Sequence, residues 1–160
     1  MEQGKTNSLV CQLRLKATQW DEMWSYCRCK RNQRWTWYII CHYTGRVVAW
    51  ICGPRTDAVL EELLKMVAHL PIKKCLTDAW GGYVRKLKQR YKHLIGKEFT
   101  QDIERRNLNF RTHLKRLHRR TICFSKDETI HDNVIGMYIE RYYFHSGSFN
   151  APPPELVQLI

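Results

Sequence analysis

The run Trp35-Thr-Trp-Tyr-Ile-Ile-Cys-His42 sets the tightest limit on what this chain can fold into. It reads as a β-strand that is apolar on both faces, and such a strand needs a covering layer on each side of its sheet. Tyr43-Thr-Gly-Arg46 follows with the form of a hairpin turn, in which Gly45 is free to take positive φ. Residues 47–52 return as another strand, ended by Gly53-Pro54. Upstream, residues 13–26 are rich in bulky and aromatic side chains, as a strand would be. Three antiparallel strands in sequence are therefore predicted.

Alternation along the first of these puts Ala17, Gln19, Asp21 and Met23 on one face, and Trp20, Glu22, Trp24 and Tyr26 on the other. Asp21 and Glu22 then point opposite ways, and one of them must meet a group that wants negative charge or lie in water. Periodicity leaves open which. Thr56 fits a helix N-cap with Asp57 in the first turn. Val59, Leu60, Leu63, Leu64 and Val67 form the apolar stripe of a helix that stops before Pro71. Residues 73–78 make a short strand with Asp78 at its carboxyl end, where functional groups gather in open α/β sheets. A helix N-cap is the ordinary alternative for this aspartate.

A basic helical run to about Arg90, a brief strand over 91–95, a helix over 101–121 and a helix over 127–144 complete the order. Ile130, Val134, Met137 and Tyr138 are the expected apolar stripe of the last helix. Residues 1–12 read as a flexible lead, 13–145 as one domain, and 146–160, with Pro152-Pro153-Pro154, as a disordered tail.

The 160 residues, 44% of them hydrophobic, suit one domain with a sizeable core. The net charge of +12 is unevenly placed. Residues 81–120 hold thirteen Lys and Arg against Glu98, Asp102 and Glu104, a net of +10; the other 120 residues hold fourteen against twelve, a net of +2. A phosphate backbone suits that basic segment better than an anionic membrane surface does. No apolar run reaches the roughly 18 residues of a membrane span, and the N-terminus shows no signal-peptide pattern. The seven cysteines lie mostly in strand-like apolar runs, where a reduced thiol acts as a small hydrophobe. Cys27 and Cys29 are the one close pair, and no second pair or histidine at ligand spacing accompanies them, which argues against zinc and for a reducing compartment.

If residues 101–121 form one helix, Ile103, Phe110, Leu114 and Leu117 fall along one side and Glu104, Leu108, Arg111 and Lys115 along its neighbour. Glu104 is then a lone carboxylate at the rim of the apolar stripe, two turns from Arg111 and amid Arg105, Arg106, Arg116, Arg119 and Arg120. A carboxylate so placed can hold a cation while its neighbours hold phosphates. The plainer reading is a solvated basic helix. His113 and His118 read as phosphate contacts or surface residues. Trp35, Trp37 and Trp50 read as core, and Trp80, beside Asp78, as a possible DNA contact. No Ser-His or Cys-His pair suggests covalent catalysis.

Three antiparallel strands, then helix, strand, helix, short strand and helix, is the element order of the ribonuclease H-like fold. This is an α/β architecture with a mixed five-stranded sheet flanked by helices. In that fold acidic residues from adjacent central strands and a following helix meet at one site, and two Mg²⁺ ions about 3.5–4 Å apart need several carboxylate oxygens between them. The blocks DEMWSY (21–26), RWTWY (34–38), GPRT (53–56), TDAWGGY (77–83), IERRNLNFRTHLKRLHRRT (103–121) and FSKDETIHD (124–132) resemble a particular family. That family is the transposases of the insertion-sequence-one type, specifically the product of the element's second reading frame.

The resemblance implies an Asp-Asp-Glu transposase that cleaves phosphodiester bonds at transposon ends and transfers the freed 3′-hydroxyl to target DNA. It selects Asp21 rather than Glu22 as first catalytic and metal ligand, with Asp78 second and Glu104 third, and Mg²⁺ as cofactor, replaceable by Mn²⁺. Arg111 stands seven residues past the glutamate, where many such enzymes place a Lys or Arg. Arg105, Arg106, Arg111, Lys115, Arg116, Arg119 and Arg120 are the expected DNA-binding set, with Glu22, Glu98 and Asp102 structural or auxiliary. The resemblance further implies a zinc-finger and helix-turn-helix region supplied by the upstream reading frame, since none is legible before Leu9. It also implies a homo-oligomer on DNA and a nucleoid-associated, cytoplasmic setting. The rival reading is a non-catalytic DNA-binding or regulatory fragment of a truncated element. A host nuclease of the same fold is disfavoured by the family-specific blocks.

Overall fold

The computed structural model describes residues 4–6 and 15–144 of the chain. Its strands are β1 (Gly4–Thr6), β2 (Ala17–Tyr26), β3 (Gln33–Cys41), β4 (Val47–Gly53), β5 (Lys74–Thr77) and β6 (Lys92–Ile95). Its helices are α1 (Asp57–Val67), α2 (Gly81–Leu87), α3 (Gln101–His113) and α4 (Glu128–Ile139). One sheet runs in the order β1-β4-β3-β2-β5-β6. Strands β2, β3 and β4 are antiparallel neighbours, and β5 and β6 continue parallel to β2. This is the mixed five-stranded sheet that the sequence predicts, with β1 added antiparallel at the outer edge of β4, inside the expected lead. The rest of that lead, Cys11 and the tail after residue 144 lie outside the described residues.

The central strand is buried on both faces, as its composition requires. Trp37, Ile39 and Cys41 pack with Trp20, Leu60, Leu63, Leu64 and Leu87 under α1 and α2. Tyr38 and Ile40 pack with Met23, Trp50, Ile103, Phe110, Ile135 and Ile139 under α3 and α4. Burial of each large apolar side chain contributes about 1.5–3 kcal/mol, so the two layers together supply most of the driving force. Gly45 takes φ 65° in the β3–β4 turn, and Thr56 caps α1 by accepting the Val59 N–H at 3.5 Å. Gly136 lets α4 lie directly on an indole, since an added Cβ would meet Trp50 at 2.6 Å. No helix of the described residues is long and apolar enough to cross a membrane.

Two helices depart from expectation. The basic helix predicted over 101–121 ends at His113: Leu114 is extended, and a 3-10 turn over Lys115–Leu117 follows. Continuation would stack like charges at 111/115, 115/119 and 116/120, each pair costing about 0.2–0.5 kcal/mol. The reversal also buries Leu117 against the core. In α4 the stripe predicted through Ile130 and Met137 faces outward, with these residues 56% and 48% exposed. The buried face is instead His131, Asp132, Ile135, Gly136, Tyr138 and Ile139. Hydrophobic periodicity cannot see this rotation, because the sheet supplies polar partners for the first two.

Those partners form a buried chain of bonds. Arg34 of β3 pairs with the Asp132 carboxylate through Nε at 3.0 Å and through Nη2. Ser25 donates to the Arg34 carbonyl and contacts His131 Nε2 at 2.9 Å, while Ser125 contacts His131 Nδ1 at 2.6 Å. Ser25 has one hydrogen and spends it on Arg34, so a neutral His131 donates through Nε2 and accepts from Ser125. This serine–histidine contact is fully enclosed and carries no nucleophile.

Burial holds the His131 imidazole down to about 4; Arg116 and Arg34 lower it further, and the carboxylates of Asp132 and Glu128 oppose them. The unfolded chain takes up this proton near the ordinary 6.5, so stability falls as pH drops from 6.5 toward 4. Urea unfolding at pH 7.5 and at pH 5 should show wild type losing roughly 2 kcal/mol more than His131→Gln over that interval. Equal losses in the two proteins would mean that His131 is charged in the fold.

Candidate functional site

Asp21 sits in the middle of β2 on the face turned to α3. In the parallel pairing of β2 with β5, Ala17, Thr18 and Gln19 lie opposite Lys74, Cys75 and Leu76. Asp78 directly follows the last residue of β5, and its negative charge acts on both Asp21 and Glu22. The first two expected carboxylates are thus neighbours at the carboxyl end of the parallel strands.

Their environments differ. Burial pushes the Asp21 carboxyl up to about 7, the negative charges of Glu22 and Asp78 push the same way, and a hydrogen bond from the Asn107 amide opposes them. Asp78 accepts the Trp80 N–H on Oδ1 at 2.9 Å in the turn before α2; the N-cap of that helix is Trp80, so Asp78 is not its cap. Thr77, just before it, is bonded to His93 on β6 at 2.7 Å.

Glu104 lies exposed in the first turn of α3, with its Oε1 3.4 Å from Thr100 Oγ1, whose single hydrogen is shared with the nearer Lys97 carbonyl at 3.2 Å. It stands one turn before Asn107, the residue that holds Asp21. Among the described residues no three His, Cys, Asp or Glu side chains converge closely enough to hold a metal ion. The chain therefore brings Asp21 and Asp78 together and sets Glu104 on the adjoining helix, outside any such cluster.

What aligns that helix is not legible in the sequence. Gln19, buried two residues before Asp21, accepts the Ile103 N–H at 3.2 Å and donates to Asp102 at 3.3 Å, with His42 Nδ1 at 2.9 Å. Tyr38, opposite Asp21 on β3, donates to Asn107 Oδ1 at 2.8 Å and lies 3.1 Å from the Ile103 carbonyl oxygen. With its oxygen turned to Tyr38, the Asn107 amide presents its N–H to Asp21. Polar residues on a strand face are legible, but their partners come from a helix 65 to 86 positions away.

Glu22 faces the opposite side and is fully engaged. Arg55 donates to its Oε1 at 2.8 and 2.5 Å, and the Tyr83 hydroxyl to its Oε2 at 2.6 Å. Arg55 is itself stacked over Trp35 and Trp80 at 4.8 and 5.1 Å. Burial raises the Glu22 pKa in spite of these partners. Trp80 also packs edge-on against Trp37 and Tyr83, so this tryptophan is a wall of the cluster. Asp102 is bound by Gln19, and Glu98 folds back over Gly96; both serve the framework.

The basic residues divide as well. Arg105, Lys115, Arg119 and Arg120 are exposed, and Arg111 is half-buried. Arg116 is half-buried and donates to Ser125 at 3.4 Å. Arg106 is turned inward, only 7% exposed, with its guanidinium 4.4 Å from the Tyr143 ring; its aliphatic stem belongs to the core side of α3. His113 is bonded to the Tyr138 hydroxyl, so the expectation of a phosphate contact or surface residue does not describe it, whereas His118 is exposed.

An all-oxygen donor set suits a hard divalent cation such as Mg²⁺ or Mn²⁺. Burial is the main cause of the raised Asp21 pKa, and a bound cation would offset that penalty.

Comparison with known proteins places these features in context. The sequence pattern described as IS1 transposase matches residues 14–145. The protein InsB of insertion element iso-IS1n from Shigella dysenteriae is 45% identical over 138 residues, covering 86% of this chain and 99% of that protein. InsB of insertion element IS1 from Shigella flexneri is 44% identical over 119 residues, covering 74% of this chain and 90% of that protein. Among solved structures, a chain of the simian T-cell lymphotropic virus intasome, in complex with the PP2A regulatory subunit B56 gamma, shares the fold with TM-score 0.59 and 16% identity. That match covers 100% of this chain and 63% of the other. A second neighbour, the catalytic core domain of BIV integrase, has TM-score 0.44 and 11% identity.

Because Asp21 carries a penalty for being ionised, Asp21→Asn should stabilise the metal-free protein. The folded pKa lies above the unfolded value, so the penalty is full above pH 7 and fades as pH falls. Thermal unfolding should show a higher Tm for the variant at pH 8, by a few degrees, with the gain shrinking at pH 5.5. A variant less stable than wild type at pH 8 would contradict the reading.

Proposed function

This chain belongs to the IS1 transposase family, and from that membership we propose that it cleaves phosphodiester bonds at transposon ends and joins the freed 3′-hydroxyl to target DNA. The observation that carries the proposal is the proximity of Asp78 to Asp21, felt as the push of its charge on the Asp21 carboxyl, with α3, the helix of Glu104, bonded to Asp21 through Asn107. In this reading Asp21, Asp78 and Glu104 would hold divalent cations, Mg²⁺ or its substitute Mn²⁺. Bound there, the metal supplies a deprotonated oxygen nucleophile and charge neutralisation at the leaving oxygen.

The remaining work falls to the protein's own side chains. Asn107, locked by Tyr38, fixes the Asp21 carboxylate in one orientation, and Gln19 fixes the start of α3. The exposed arginines and Lys115 neutralise and position the DNA backbone. Positioning and charge account for the chemistry, and no covalent protein intermediate is required. The complete enzyme is further proposed to act as a homo-oligomer on DNA in the nucleoid, with a zinc-finger and helix-turn-helix region from the upstream reading frame choosing the element's ends.

A second reading is favoured by one observation: Glu104 bonds to Thr100 and stands outside any three-carboxylate cluster. It holds that the chain alone is a DNA-binding regulator. Glu104→Gln separates the two. For a transposase the variant should lose strand transfer by roughly a hundredfold or more, the scale of removing one electrostatic catalytic group, while its salt-dependent DNA binding persists. For a regulator, wild type and variant would be equally inactive in joining and equal in binding, whether Mg²⁺ is present or not.

A further inference from the structure

One corner of the sheet is left without a helical cover. Along β3, Gln33 is exposed and Arg34 and Trp35 are half-buried, whereas every residue from Thr36 to Cys41 is buried. Trp35 lies directly opposite Trp24 of β2, so the two indoles stand side by side on one face. Trp24 is half-buried too, lies outside both core layers and meets the Tyr26 ring at 5.5 Å. The Trp35 N–H donates to Gln33 Oε1 at 3.2 Å and Arg55 lies over its ring, so this indole is already fixed in place. Core packing accounts for Trp20, Trp37 and Trp50, each 2% exposed or less. It does not account for a pair of half-open indoles at an uncovered edge.

The turn that joins these two strands is basic. Residues 28–34 hold Arg28, Lys30, Arg31 and Arg34 and no acidic residue. Arg34 is taken by Asp132, and Arg28 donates through Nε to the Lys126 carbonyl at 2.9 Å. Arg28 also takes φ 64°, and its N–H bonds the Ser125 carbonyl at 2.6 Å, which ties the turn to the loop before α4. Lys30 and Arg31 are exposed, and among the described residues no carboxylate pairs with either. A fixed turn thus holds two cations in water at the strand ends that carry the indoles.

Ring faces and cations together suit an unpaired nucleic-acid strand, whose bases stack on the rings while its backbone follows the charges. The bases of a duplex are already stacked on one another, so such a surface favours a strand whose bases are open. Trp24 stands three residues beyond Asp21 on β2, roughly 10 Å along the strand and on the opposite face. That distance is about three stacked nucleotides at 3.4 Å each.

We propose that Trp24 and Trp35, with Lys30 and Arg31 of the turn, bind an unpaired stretch of DNA strand a few nucleotides from the reacting phosphate. The site rests on the DNA-processing reading above for the identity of the polymer. It is separate from the basic helix: it lies on other elements and the other face of the sheet, and it takes bases in place of backbone alone. Every base has a ring face, so the site is indifferent to sequence.

The test compares three DNAs by fluorescence anisotropy: a blunt duplex, the same duplex with a short unpaired thymidine extension, and one whose extension keeps the phosphates but is abasic. Wild type should bind the thymidine extension about tenfold more tightly than the abasic one, the effect of a lost base stack. Trp24→Leu should lose that preference. Trp24→Phe, which keeps a ring, should retain most of it, with circular dichroism confirming that both variants are folded. Lys30→Ala and Arg31→Ala should each lower the slope of log K on log salt for the extended duplex by about 0.7, the single-strand value of one phosphate contact. The slope for the blunt duplex should stay unchanged.

Equal affinity of wild type for the thymidine and abasic extensions would overturn the stacking site, and that comparison needs no variant. A preference that survives Trp24→Leu would overturn it as well. Absence of salt-dependent binding to the blunt duplex would instead overturn the DNA-processing reading. Because binding alone is read, loss of strand transfer for any other reason leaves the result intact.

Discussion

The pairing of β2 with β5 is the contact on which the acidic face depends. These two strands are parallel neighbours at the centre of the sheet, and side chains on such strands alternate with a period of two. A slip of one residue would shift Asp78 relative to Asp21 and would expose Cys75 and Leu76 to the wrong layers. Thr18 helps to lock the register by donating to the Lys74 carbonyl at 3.3 Å. Burial of β3 on both faces holds the sheet between two helical layers, and Asp21 meets α3 through Asn107 on one of them.

Charges in this fold fall into two groups, and the difference separates architecture from chemistry. Glu22, held by Arg55 and Tyr83, and Asp132, held by Arg34, are buried carboxylates with partners on hand. Removing one member of such a pair costs about 3–5 kcal/mol, because a buried charge is left alone. Asp21 and Asp78 on one side, and Arg111 and Arg119 on the other, each face a like charge. Like charges so placed are relieved by a ligand of opposite sign: cations for the acids and phosphates for the arginines. DNA with bound metal supplies both.

The fold was largely legible in the sequence because its signals were local. The doubly apolar run at 35–42, Gly45 in the hairpin and Thr56 before α1 each carry their own physical instruction, and each does in the structure what it implies. Helix faces were less legible where polar residues are buried. His131 and Asp132 lie off the apolar stripe expected for their helix, and only Ser25, Ser125 and Arg34 explain why they turn inward. The end of α3 was missed for a related reason: the 3.6-residue pattern runs on to Leu117, whereas repulsion among its cations favours a reversal.

At the site, Asp21 was separable from Glu22 only through family resemblance, since alternation puts them on opposite faces without saying which face is functional. Their partners, Asn107 on one side and Arg55 with Tyr83 on the other, show the contrast in physical terms. Gln19 and Tyr38, which align α3, left no local signal. The same holds for the turning inward of Arg106, whose type and spacing match its exposed neighbours.

The central claim is that Asp21, Asp78 and Glu104 together hold divalent metal. The most direct measurement is anomalous diffraction from crystals of the chain with DNA and Mn²⁺, recorded at the manganese edge. Peaks are expected between the Asp21 and Asp78 carboxylates, with the Glu104 side chain released from Thr100 and within about 2–2.5 Å of a metal. Manganese bound elsewhere, or none between the two aspartates while DNA occupies the basic surface, would contradict the claim and leave a DNA-binding protein without this catalytic centre.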